Sequence, residues 1–150
     1  MIQSRRIDPL LRRAQEHEDS VARDLAERQR TLAQHESRLE ELRQYAEDYA
    51  NSQMAATSPA QLANRRAFLE RIDLALKQQL QNVDRSRASV DIERDRLLLA
   101  SRDKQVLEQL AASYRVQERQ IVDRRDQREM DDLGARRARL AAAARVSEDA

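Results

Sequence analysis

The stretch A-A-T-S-P-A-Q, Ala55 to Gln61, decides how this chain folds. Ser58 is a good helix cap, and Pro59 suits the first helical position, where its missing N–H would be unbonded anyway. Gln61 is placed to return a bond to Ser58 in a capping box. A helix therefore begins at about residue 59, and whatever precedes it is interrupted by a turn over about 56–58. Asp8-Pro9 gives a similar start signal upstream, so a first helix is expected over about 9–55. The second is expected over about 59–145, loosening near Gly134, the only Gly of the chain.

Outward from the turn, apolar residues recur at heptad spacing. Leu11, Leu25, Leu32, Leu39 and Ala46 form one line of the first helix, and Ala14, Val21, Leu42 and Tyr49 the other. The second helix carries Leu62, Leu69, Leu76, Val83, Val90, Leu97 and Ala111, with Ile72, Ala100, Leu107, Tyr114 and Ile121 beside them. Glu18, Arg28, His35, Glu93 and Lys104 interrupt the seam; such polar positions fix register at a cost in stability. The fold class is all-α: two long helices in an antiparallel coiled-coil hairpin, one coiled-coil domain over residues 1–150, with the second helix longer and overhanging.

At ~1.5 Å per residue the first helix is about 70 Å long and the second well over 100 Å. A short connection makes the two antiparallel neighbours, with facing residue numbers summing to about 112. Asp8 is then expected near Lys104, and everything from about Gln105 onward is expected to lack a partner within the chain. Leu107, Leu110, Ala111, Tyr114 and Ile121 still mark an apolar stripe there. A lone helix of that kind gains its stability by packing, which implies another protein or a second copy.

Composition excludes several classes of function. Charged residues make up 37% of the chain, and the apolar share is mostly Leu and Ala. Such usage at heptad spacing marks a long helix or coiled coil. The balance of 28 basic and 27 acidic residues argues against a self-repelling tail. All but two of the basic residues are Arg, yet acids are interleaved throughout, so no one-sign stripe forms for nucleic acid to follow. Cysteine is absent, which removes disulfides and thiolate metal sites. Neither a secretory signal nor a membrane span is evident, and the cytoplasm is the default expectation.

Chemistry of its own is not expected. A two-helix hairpin is too thin to enclose a pocket of ordinary ligand size. One Gly leaves no phosphate-cradling loop. His17 and His35 lie about 27 Å apart at helical rise and cannot share a metal. No catalytic residue, metal or cofactor is expected, and the reading is of a protein that binds other proteins.

The segment L-E-E-L-R-Q-Y-A-E-D-Y, Leu39 to Tyr49, narrows this further. Only three Tyr, one Phe and no Trp occur in the chain. In the heptad register Tyr45 falls at a g position and Tyr49 at d, continuing from Arg38 and Leu42. On the second helix Phe68 and Ala75 are g, and Ile72 and Gln79 are d. Antiparallel packing sets the two g flanks side by side, so Tyr45 is expected beside Phe68 and Arg38 beside Ala75. Leu42, Tyr49 and Ile72 are explained at least in part as seam residues. Tyr45 and Phe68 occupy flank positions that are usually charged, and an exposed aromatic cluster marks a contact surface.

The same segment, together with Gln61, Asn64, Phe68-Leu69, Ile72, Ala75 and Gln78-Gln79, and R-E-M-D-D-L from Arg128 to Leu133, resembles the FliJ family of the bacterial flagellar type III export apparatus. The order and spacing of these segments carry the resemblance over nearly the whole chain. One departure is Arg65-Arg66, where relatives often have an aromatic.

The resemblance implies a non-enzymatic stalk, similar to the central subunit of rotary ATPases. It implies that the end bearing both termini enters the ring of the export ATPase FliI and promotes its assembly. The patch near the turn would dock to the export-gate protein FlhA, and the family is linked to recycling of export chaperones. Gate-binding candidates are Arg38, Leu42, Tyr45, Tyr49, Phe68, Ile72, Ala75 and Gln79. ATPase-ring candidates are Leu107, Leu110, Tyr114, Ile121, Arg124, Arg125, Arg128, Met130 and Leu133. The implied place is the cytoplasmic face of the inner membrane at the flagellar base, peripheral and not inserted, in the service of motility. An injectisome stalk and a self-assembling coiled-coil scaffold remain alternatives at this point.

Overall fold

A computed structural model describes residues 2–52 and 58–149. Helix α1 runs Ile2–Asn51 and helix α2 runs Pro59–Glu148. The two pack against each other as an antiparallel hairpin, and no strand occurs among the described residues. The turn expected over 56–58 falls largely outside the described residues. At its edge the Gln61 N–H donates to the Ser58 hydroxyl at 3.3 Å, the cap bond that Ser58-Pro59 announces.

Two differences from the sequence expectation concern helix bounds. Helix α1 starts at Ile2 and carries Pro9 inside it, instead of starting at Pro9. Proline there cannot donate to the Arg5 carbonyl, and an interior proline costs about 3 kcal/mol. What offsets this is tertiary. Ile7 is 4% exposed, Asp8 pairs with Arg115 at 3.5 Å, and Ser4 donates through its N–H and its hydroxyl to the Glu118 carboxylate at 3.2 and 2.8 Å. Helix α2 passes through Gly134 without a break, and no positive φ occurs among the described residues.

Contacts divide the chain into two units. The first comprises residues 1–13 and 104–150, the second residues 14–103. In the second, the seam is the one the heptads describe: Val21, Leu39, Ile72, Val83, Val90 and Ala100 are buried. Val83 and Val21 are the largest fully enclosed side chains. Gln79, Ser86 and Glu93 are buried as well, one heptad apart on α2. The Gln79 amide donates to the His35 carbonyl at 2.9 Å and contacts His35 Nδ1 at 3.3 Å, while Asn82 donates to the Gln79 oxygen at 3.2 Å. Both Glu93 oxygens accept from Arg96 at 3.0 Å. No enclosed polar side-chain atom lacks a partner among the described residues.

In the first unit, Ile7 and Ala111 are buried, and Leu107 and Tyr114 are half-buried. The expected partner-free stretch therefore begins later than Gln105. Asp8 meets Arg115, not Lys104. Every described residue from Arg119 to Asp149 is exposed.

The expected sum of about 112 holds on the g flank and not on the e flank. In the heptad e lies just after d and g just before a, so in an antiparallel pair e contacts have number sums above the core level and g contacts below it. Pairs on the e flank sum to 123, as in Asp8 with Arg115 and Glu36 with Arg87. The g-flank pair Tyr45 and Phe68 sums to 113.

Candidate docking surface

Tyr45, Tyr49 and Phe68 come together beside the turn because α1 presents residues i and i+4 on adjoining turns while α2 returns Phe68 alongside. The Tyr45 and Phe68 rings are 6.2 Å apart, centroid to centroid, at 69°, an edge-to-face contact. Tyr49 and Phe68 are 4.5 Å apart at 50°. Each such pair is worth about 0.5–1.5 kcal/mol beyond area burial. Tyr45 nonetheless stays 54% exposed. An aromatic ring held by a neighbour and open to solvent on its other side is preorganised to receive a partner.

The other gate candidates divide. Arg38 is exposed, and Leu42, Tyr49, Phe68 and Ala75 are half-buried. Ile72 and Gln79 are buried, and Gln79 is committed to His35 and Asn82. Their direct part is to hold the two helices together beneath the patch. Arg65, which sits where relatives often have an aromatic, reaches the last carbonyls of α1: its guanidinium lies 3.5 Å from the Ala50 oxygen and 3.3 Å from the Ser52 oxygen. A cation at a helix C-terminus is favourable to both the unbonded carbonyls and the helix dipole.

Among the ring candidates, Leu107 and Tyr114 are half-buried, and Leu110 is 40% exposed. Ile121, Met130 and Leu133 are 65%, 68% and 55% exposed, and Arg124, Arg125 and Arg128 are exposed with them. Arg125 pairs with Glu129 at 3.6 Å one turn on. Ile121, Arg124, Arg125, Arg128, Met130 and Leu133 form a helix surface that no other described residue covers.

The sequence reading missed the contact of Ser4 with Glu118. Its signal was present: Ser4 and Ile7 lie seven residues before Leu11 and Ala14, and Glu118 lies seven after Ala111, so the seam continues across Pro9 in both helices. Among the described residues, no group of three or more His, Cys, Asp or Glu side chains is placed to hold a metal. No helix among them is long and apolar enough to cross a membrane.

Two long helices packed as a hairpin, with a ring edge exposed at Tyr45, define an all-helical coiled-coil protein. The family model of the flagellar FliJ protein matches residues 3–143, and the chain belongs to that family. It is thereby a component of flagellar export. No curated protein and no solved structure gives a significant match.

Proposed function

We propose that this chain is a non-enzymatic coupling subunit of the flagellar export apparatus, docking to the export gate through the aromatic patch and to the export ATPase through the exposed part of α2. The observation that carries this reading is the bare surface from Arg119 to Asp149. A single helix is marginal in water, and a 30-residue stretch rich in Arg and spaced Leu or Ile gains order by entering a partner. Ile121, Arg124, Arg125, Arg128, Met130 and Leu133 are its contact residues with the FliI ring. The half-buried Leu107 and Tyr114 support that segment through α1 and contact the ring less directly.

The gate partner, FlhA, would meet Tyr45, Phe68, Arg38 and the edges of Leu42, Tyr49 and Ala75. Recycling of export chaperones is part of the proposed role, in a cytoplasmic, membrane-peripheral setting. The test is a pair of variants. Truncation after Glu118 is expected to abolish stimulation of the ATPase while leaving gate binding intact. Tyr45→Ala with Phe68→Ala is expected to do the reverse. Full stimulation by the truncated chain, or unchanged gate affinity of the double variant, overturns the corresponding half.

A self-assembling scaffold is the second reading, because the same bare surface would be buried in a homodimer. Light scattering over a dilution series separates the two: a monomer at all concentrations removes the scaffold.

A further inference from the structure

The g flank that holds Tyr45 and Phe68 continues within the second unit, and two heptads from Tyr45 it opens into a notch of about 250 Å³ lined by Arg28, Thr31, His35, Asn82, Arg85, Ser86 and Ser89. No acidic residue lines it. Arg28 occupies a core position of α1, and Ser86 a core position of α2, where larger apolar side chains would close the gap. Arg28 and Arg85 are exposed, and neither forms an ion pair with a described residue, so both guanidinium groups are open to a partner.

Ser86 supplies an independent observation. Its residue is 9% exposed, yet its hydroxyl makes no hydrogen bond, whereas Thr31 and Ser147 donate theirs to carbonyls of the preceding turn at 3.1 and 2.8 Å. A buried polar group is ordinarily bonded. Because no fully enclosed polar atom is left unpaired, the Ser86 hydroxyl opens onto the notch that Ser86 lines. His35 lines the notch as well, with the Gln79 amide nitrogen 3.3 Å from its Nδ1.

Two guanidinium groups and hydroxyls, with no acid among the lining residues, are the complement of an anion. Arg38, exposed and also without an ion pair, stands at the g position midway between notch and aromatic pair, at ~10 Å helical spacing from each. On this g flank of α1 the nearest acid is Asp24, a heptad beyond Thr31.

We propose that this notch receives the carboxylate of an acidic side chain from a protein segment that lies along the flank carrying Tyr45 and Phe68. Only the direction of that segment rests on the docking role given to the patch. Charge complementarity fixes the chemistry of the occupant: a segment with an apolar anchor for the rings and an acidic residue about 20 Å away along the helices.

The test uses the full chain and two peptides, one carrying three consecutive Glu and its Gln counterpart, followed by NMR at Thr31, Ser86 and Ser89. The Glu peptide is expected to shift these signals and the Gln peptide not to. Arg28→Gln and Arg85→Gln are each expected to weaken the Glu peptide about tenfold, the loss of one charge-assisted hydrogen bond. Ser86→Ala, which cannot disturb the packing, is expected to weaken it less. Tyr45→Ala with Phe68→Ala should leave this short probe unaffected, so failure of the notch and failure of the patch are distinguishable. Equal shifts with the Gln peptide, or unchanged binding by both Arg variants, overturn the proposal. Inorganic phosphate binding more tightly than the Glu peptide also overturns it, by making the notch a small-ion site.

Discussion

Individual side chains in this hairpin divide into those that hold it and those that face outward, and heptad position is the criterion. Val83 is fully enclosed at a core position. Val83→Ala removes two methyl groups from a packed seam and is expected to cost about 2 kcal/mol, measured as the shift in urea midpoint. Gln79 is the less obvious case. The resemblance implies it as a gate residue while the heptad register places it at d, and the structure buries it with three polar contacts to His35 and Asn82. Gln79→Ala leaves the Asn82 amide and His35 without their partner, and is expected to destabilise by about 1–3 kcal/mol. Arg38→Ala, at an exposed site, should change stability by less than about 0.5 kcal/mol. If both lower gate binding but only Gln79→Ala lowers stability, Gln79 acts by positioning the helices.

The helices themselves were legible where local chemistry decides. Ser58 caps α2 as its sequence indicates, through the bond from the Gln61 N–H. Ser58→Ala is expected to cost about 1 kcal/mol, read from the same denaturation curves. Gly134 is different: flexibility led to an expected loosening, but α2 runs on to Glu148. A Cβ at Gly134 would meet nothing within 4 Å. Gly134→Ala is therefore free of steric cost and is expected to stabilise the local helix by about 1 kcal/mol, visible as greater ellipticity at the helical band. A lower signal would mean that Gly134 serves a bend. The start of α1 was misplaced because Asp8-Pro9 is a good local start signal, and only contacts more than a hundred residues away in sequence, Ser4 with Glu118 and Asp8 with Arg115, outweigh it.

For the whole hairpin, the consequence of the longer α1 is that residues 104–118 have an intramolecular partner and residues 119–148 do not. Hydrogen exchange should show this directly: amides of 104–118 are expected to be protected above those of 119–148 in the isolated chain. Ile7→Asp puts a charge at a position 4% exposed and should speed exchange over 104–118 while leaving 68–83 unchanged. Unchanged exchange over 104–118 would show that the first turns of α1 contribute nothing to that stretch.

The sequence by itself determined the fold class, the helix cap at Ser58-Pro59, the seam and the meeting of Tyr45 with Phe68. Those follow from period, capping and flank geometry, all of which repeat locally. Tertiary structure alone decided the pairing of side chains along the helices and the point where pairing ends. A heptad seam looks the same after a slip of seven residues, so apolar spacing cannot fix register. Tertiary structure also decided that Gln79 bonds to His35 and Asn82 and that Arg28, Arg85 and Ser86 share an opening, because contacts across the seam are properties of two helices together.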